Sequence, residues 1–128
     1  FRNNEPVREE GYTTHLLGDD AVKYINGQDA SKPFYMYLTF NAPHTPYQAP
    51  EADLNRYRHI ADPARRAYAA SISAMDDQIG RLIDHLKKTG KYDNTLIIFL
   101  SDNGAAGEDM AELIKTLPNP EKYLPVRW

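Results

Sequence analysis

The 128-residue sequence contains no cysteine, which excludes a disulfide framework, a thiolate metal site and a cysteine nucleophile within these residues. It has no excess of positive charge either. Fifteen lysines and arginines stand against 18 aspartates and glutamates, a net charge of −3, so the basic field that phosphate neutralisation needs is missing and nucleic acid is not an expected partner. No apolar run approaches the roughly 20 residues required to span a bilayer, and Phe1 to Glu10 is polar and charged, unlike a signal peptide. The sequence has no Gly-rich phosphate loop and no Gly-x-Ser-x-Gly elbow, which disfavours a P-loop enzyme and an α/β-hydrolase. It also lacks an initiator methionine, opens inside a polar run and closes on Pro125-Val126-Arg127-Trp128 without a terminating element. Residues 1–128 are therefore expected to be an internal piece of a larger domain, and periplasmic, secreted and cytoplasmic locations all stay open.

What is present is an ordinary globular composition, 41% hydrophobic and 26% charged. Asp19 to Asn26 carries Ala21, Val22, Tyr24 and Ile25 at helical spacing behind the capping candidates Asp19 and Asp20, with Gly27 as a stop. The run Phe34-Tyr35-Met36-Tyr37-Leu38-Thr39-Phe40 has no polar alternation, as in a strand buried on both faces. Prolines 43 and 46 then force a stiff loop around His44. From Pro63 to Thr89, Tyr68, Ile72, Met75, Ile79, Leu82, Ile83 and Leu86 recur every three or four residues among charged ones, with Asp62 as cap and Gly90 as stop. Asp93-Asn94 turns the chain into a second apolar run, 95–101, which leads directly to Asp102-Asn103-Gly104. The fold class expected is α/β, with parallel buried strands at about 34–40 and 95–101 joined by a crossover helix at about 63–89. That topology places His44 and Asp102-Asn103 at the same carboxyl-terminal sheet edge, where open α/β sheets bind ligands. One or two helical turns are expected at 108–115, and a loop-like stretch from 117 to 128.

Asp102 and Asn103 offer a carboxylate and an amide carbonyl side by side, hard oxygen donors suited to Ca²⁺ or Mg²⁺. The same residues before Gly104 equally make an Asx-turn, and local composition leaves both readings open. His44, held near two prolines, could contact an anion or move a proton, or simply sit in a loop. Asp76 and Asp77 point about 100° apart on a helix, so they do not converge on one ion and fit a solvated face or a cap to a neighbouring loop. His15, His59 and His85 carry weaker signals still.

Two segments, Lys32 to Pro46 with its Asn41-Ala42-Pro43-His44-Thr45-Pro46 core and Tyr92 to Gly104 ending in Ser101-Asp102-Asn103-Gly104, resemble the type I sulfatases of the arylsulfatase kind, within the alkaline-phosphatase-like superfamily. Tyr68 to Leu82 is similar to the helix between those segments, and Gly11-Tyr12-Thr13-Thr14 extends the likeness weakly, so it covers roughly residues 11 to 107. The resemblance implies a partial sulfatase catalytic domain over 1–128, with about 108–128 a variable insertion or loop. It implies that Asp102 and Asn103 ligate a divalent cation, Ca²⁺ with Mg²⁺ or Mn²⁺ as the other candidates, and that His44 contacts the sulfate. The implied activity is hydrolysis of a small-molecule or carbohydrate sulfate ester by a hydrated formylglycine. Its Cys or Ser precursor, the rest of the metal shell and the active-site lysine all lie outside these residues. Lys115 and Lys122 lack the Glu-Gly-Gly context of that lysine and receive no role, and His15 stands where the family commonly has aspartate.

The isolated piece is accordingly expected to be inactive. A phosphodiesterase or phosphonate monoester hydrolase of the same superfamily is the nearest alternative, because sulfate and phosphate monoanions share size and shape. A noncatalytic, degenerate sulfatase-like scaffold is the alternative of a different class.

Overall fold

The computed structural model describes residues 2–29, 31–104, 116 and 118. Its regular elements among these are helices α1 (Thr13–Asn26), α2 (Glu51–Arg56) and α3 (Pro63–Lys88), followed by a 3₁₀ turn at Tyr92–Asn94. The helical turns expected at 108–115, and nearly all of the 117–128 tail, fall outside the described residues.

Helix α3 follows the sequence closely. The Asp62 side chain accepts a hydrogen bond from the Arg65 backbone N–H at 2.6 Å, satisfying one of the donors a helix start leaves free. Pro63 occupies the first turn, His85, Lys87 and Lys88 complement the dipole in the last, and Gly90 takes a positive φ of 67° just beyond it.

Helix α1 begins six residues before the expected start. Its buried stripe is Thr14, Gly18, Ala21 and Ile25, a helical spacing of four, three and four in which two positions are not hydrophobic. An apolar pattern search therefore misses the first half. Asp19 and Asp20 are not caps but ion-pair partners, with Arg81 at 2.7 Å and Arg2 at 2.6 Å. Gly27 does end the helix, its N–H bonding to the carbonyls of Lys23 and Tyr24. Helix α2 has no counterpart in the sequence reading, since six residues are too few for a periodicity.

The packing face of α3 is also displaced from the expected one. Its buried residues are Ala67, Ala70, Ser71, Ala74, Gln78 and Leu86, whereas Ile72 is exposed and Met75, Ile79, Leu82 and Ile83 are half-buried. Small residues let α1 approach closely: a Cβ placed on Gly18 would lie 2.5 Å from Gln78 Oε1 and 3.0 Å from Gln78 Cβ. Asp77 pairs with Arg56 of α2 at 2.6 Å.

The two expected strands differ most. Neither 34–40 nor 95–101 carries a β-ladder among the described residues. Along 34–40, half-buried and exposed residues alternate, the two-residue period of an extended chain covered on one side only. Tyr35 and Tyr37 are 81% exposed, Leu96 85% and Leu100 81%. The physical reason is a lack of partners: extended backbone becomes a strand only when another strand takes its N–H and C=O groups. Helix α1 reaches 34–40 through Tyr24, whose hydroxyl donates to the Tyr35 carbonyl and whose ring meets Phe34, and a helix offers no such ladder.

Gly18→Ala is expected to lower stability by about 1 kcal/mol or more through overpacking against Gln78, despite alanine's better helix propensity. Gly80→Ala, where an added Cβ meets nothing within 4 Å, is expected to raise stability by about 0.5–1 kcal/mol. Paired denaturant titrations check this; equal gains at both positions would show that α1 and α3 do not cross at Gly18.

Candidate active-site cleft

His44 lies on the 41–48 segment, which is pinned on two sides. The Tyr12 hydroxyl, at the start of α1, donates to the Gln48 carbonyl at 2.9 Å, and the Tyr47 ring meets the Tyr68 ring of α3 edge-on at 5.3 Å between centroids. Next to them Ala49 is buried. Within the segment the His44 N–H donates to the Asn41 carbonyl at 2.7 Å. His44 Nδ1 lies 2.7 Å from the Thr45 carbonyl, a contact in which Nδ1 carries the hydrogen and Nε2 of a neutral ring is left to accept or bind elsewhere. The Ala42-Pro43 and Thr45-Pro46 peptide bonds are both cis. The His44 ring is exposed.

The segment and the first turn of α1 enclose an open cleft of about 310 Å³, lined by Tyr12, Thr13, Thr14, Asn41, His44 and Gln48 among others. Apart from His44, no lining residue can carry charge near neutral pH. Charge pairs lie elsewhere. The Asp20 carboxylate, with Glu9 beside it, raises the pKa of Arg2, and Asp77 does the same for Arg56. Hydrogen bonds from the Ser31 backbone and hydroxyl hold Asp29 below the usual carboxylate range. The Arg2 and Arg56 pairs link distant parts of the chain at the surface, and the Asp29 bonds are local.

Asp102 and Asn103 are exposed in a bend. The Ser101 hydroxyl donates to the Asn103 carbonyl, and the Asp102 and Asn103 side chains stay accessible. Among the described residues no hydrogen bond or ion pair joins them to His44, and they do not line its cleft. Without a ladder between 34–40 and 95–101, nothing here sets the register that would align the two strand ends.

As a donor set, Asp102 and Asn103 fit a hard divalent cation but supply only two or three oxygens, whereas Ca²⁺ takes about six to eight. No group of three or more acidic or histidine side chains that could hold a metal occurs among the described residues. No helix among them is long and apolar enough to cross a membrane.

Sequence reasoning located His44, Asp102 and Asn103 but assigned no function to Tyr12, Thr13, Thr14 or Gln48, which complete the cleft wall. The available signal was the Gly11-Tyr12-Thr13-Thr14 stretch, which the two aspartates at 19 and 20 drew attention away from as a helix start.

A family model described as Sulfatase matches residues 1–124. The uncharacterized sulfatase YdeN of Escherichia coli (strain K12) is 37% identical over 107 residues, 82% of this chain and 19% of that protein. Arylsulfatase J of Mus musculus is 37% identical over 93 residues, 73% of this chain and 16% of that protein. The crystal structure of Ps i-CgsB in complex with k-i-k-neocarrahexaose is 38% identical with a TM-score of 0.68, covering 73% of this chain and 21% of that one. The chain thus spans about a fifth of the length of the relatives it matches, and over the matched stretch it shares their fold.

Titration of the 128-residue chain alone with Ca²⁺ is expected to show binding no tighter than about 10⁻³ M, because Asp102 and Asn103 supply only two or three of the oxygens the ion takes. Calorimetry checks it, and micromolar affinity would show that the chain holds a complete site.

Proposed function

The chain belongs to the sulfatase family, and on that premise we propose that it carries part of the active site of a sulfuric ester hydrolase. In this reading His44 contacts the sulfate, and Asp102 and Asn103 are two ligands of a divalent cation, Ca²⁺ in the first instance. The observation that carries the proposal is the family match over residues 1–124, joined to the motif residues at His44 and Asp102-Asn103. The accessibility of all three side chains supports it, since each must reach a ligand.

In the full-length protein the apolar stretches 34–40 and 95–101 are proposed to be parallel strands of an alkaline-phosphatase-like α/β sheet. Support comes from the 73% to 85% exposure of Tyr35, Tyr37, Leu96, Phe99 and Leu100. Leaving such side chains in water forgoes roughly 1.5–3 kcal/mol each for the aliphatic and phenyl groups, so a covering layer is expected. That sheet would align the two strand ends and place His44 beside Asp102 and Asn103.

A divalent cation held there would stabilise negative charge developing on the sulfate oxygens. The residues of this chain then have separable tasks. Asp102 supplies compensating negative charge and an oxygen ligand, and Asn103 a neutral one. His44, with Nδ1 engaged by the Thr45 carbonyl, turns Nε2 to the substrate, where a protonated ring would donate a hydrogen bond to a sulfate oxygen. The nucleophile, a formylglycine in this proposal, lies outside these residues, which contain no Cys/Ser-x-Pro/Ala-x-Arg motif. A carbohydrate sulfate ester is the proposed substrate class, supported by the carbohydrate ligand named for the similar structure of Ps i-CgsB and by the uncharged polar walls of the cleft.

Asp102→Ala in the full-length protein is expected to lower bound divalent metal to less than half of the wild-type content and to cut kcat by about 10²-fold or more. Asn103→Ala is expected to do the same less severely. Metal analysis alongside turnover of 4-nitrophenyl sulfate checks both, and unchanged metal content with an intact fold would leave Asp102-Asn103 as a turn only.

A further inference from the structure

The first turn of α1 faces the 41–48 segment across the cleft, and three features of that turn are not used by the sulfate or metal assignments. Thr14 is 2% exposed yet lines the cleft, and among the described residues its hydroxyl has no hydrogen-bond partner. Buried hydroxyls are ordinarily paired, since an unmet one costs about 1–3 kcal/mol. Among the described residues no buried side-chain oxygen or nitrogen is sealed off without a partner, so the small accessible part of Thr14, a residue that lines the cleft, includes its hydroxyl. The N-cap residue Tyr12 makes no side-chain capping bond and its carbonyl takes the His15 and Leu16 N–H groups, which leaves those of Thr13 and Thr14 as donors as well. The Tyr12 hydroxyl is committed to the Gln48 carbonyl, so this residue positions the wall rather than offering a polar group.

The chemistry of the wall says what it would bind. Thr13, Thr14, Asn41 and Gln48 are neutral and can both donate and accept, and the half-buried Tyr12 presents a ring. A second anion would find no cationic side chain here other than His44. An unsubstituted aryl group would leave the hydroxyl and the free N–H groups unmet. A ring bearing several hydroxyls satisfies both kinds of group. At about 310 Å³ the cleft is at the low end of small-molecule sites, which run from about 300 to 1,000 Å³, enough for one sugar ring.

We propose that the first turn of α1, through the Thr14 hydroxyl and its neighbouring N–H groups, forms a subsite for the hydroxyls of the sugar ring that bears the sulfate, opposite His44. This rests on the reading of His44 as the sulfate contact, and binding of the unreacting part of the substrate here would orient the ester for hydrolysis.

The test compares Thr14→Val, which removes the hydroxyl at nearly constant volume, with Thr14→Ser, which keeps it, in the full-length protein. The substrates are 4-nitrophenyl sulfate and the best-used member of a panel of galactose, glucose and N-acetylgalactosamine monosulfates. Thr14→Val is expected to lower kcat/KM on the sugar sulfate by about tenfold, mainly through KM, with a several-fold smaller loss on the aryl ester, and Thr14→Ser is expected to restore most of the sugar activity. Equal losses on both substrates, or no loss, would overturn the subsite. Turnover of the aryl ester with none of the sugar panel by the wild type would overturn it too. Thermal unfolding of each variant separates misfolding from lost binding, and a Thr14→Val protein that melts early while Thr14→Ser fails to recover selectivity also counts against the proposal. His44→Ala separately reports the underlying reading: it should depress both substrates alike, and unchanged turnover of both would remove the sulfate assignment whatever Thr14 shows.

Discussion

The close crossing of α1 and α3 at Gly18 is the contact on which the described structure depends. Gln78, 6% exposed, fills the space that a side chain at position 18 would take. Its amide oxygen accepts from Arg81, whose other nitrogen reaches Asp19 one residue after the glycine. The amide oxygen of Gln78 is thus paired, which lowers the cost of placing a glutamine in this interface. Because the crossing fixes α1 against α3, it also fixes the start of α1 relative to the 41–48 segment, which Tyr12 and Tyr47 attach to the two helices in turn. The cleft around His44 is a consequence of that arrangement and not of any element within the loop itself.

The helical half of the fold was legible in the sequence wherever chemistry and periodicity agreed. Helix α3 carries both, a proline and an aspartate cap at one end and glycine at the other. Helix α1 carries periodicity only in its second half, because Thr14 and Gly18 face inward without being hydrophobic. The large apolar residues Ile72, Met75, Ile79 and Leu82 of α3 flank the packed stripe of alanines and remain partly open.

The stretches 34–40 and 95–101 are legible as apolar sequence but form no ladder among the described residues, and the reason is physical. A helix satisfies its backbone within itself, whereas a strand needs a neighbour. Both stretches keep the composition of a buried sheet while Tyr35, Tyr37, Leu96, Phe99 and Leu100 stand in water. The proposed site shares that property: Asp102, Asn103 and His44 are each picked out by type and spacing, but what would gather them is the proposed sheet. Tyr12 and Thr14, by contrast, gain their place from helix packing, which no local motif announces.

These residues are proposed to serve a sulfatase. Matched 4-nitrophenyl sulfate and 4-nitrophenyl phosphate, assayed with the full-length protein at equal concentration, give the decisive comparison. A higher kcat/KM on the sulfate ester is expected; a preference for the phosphate would mean that the protein is a phosphate ester hydrolase instead.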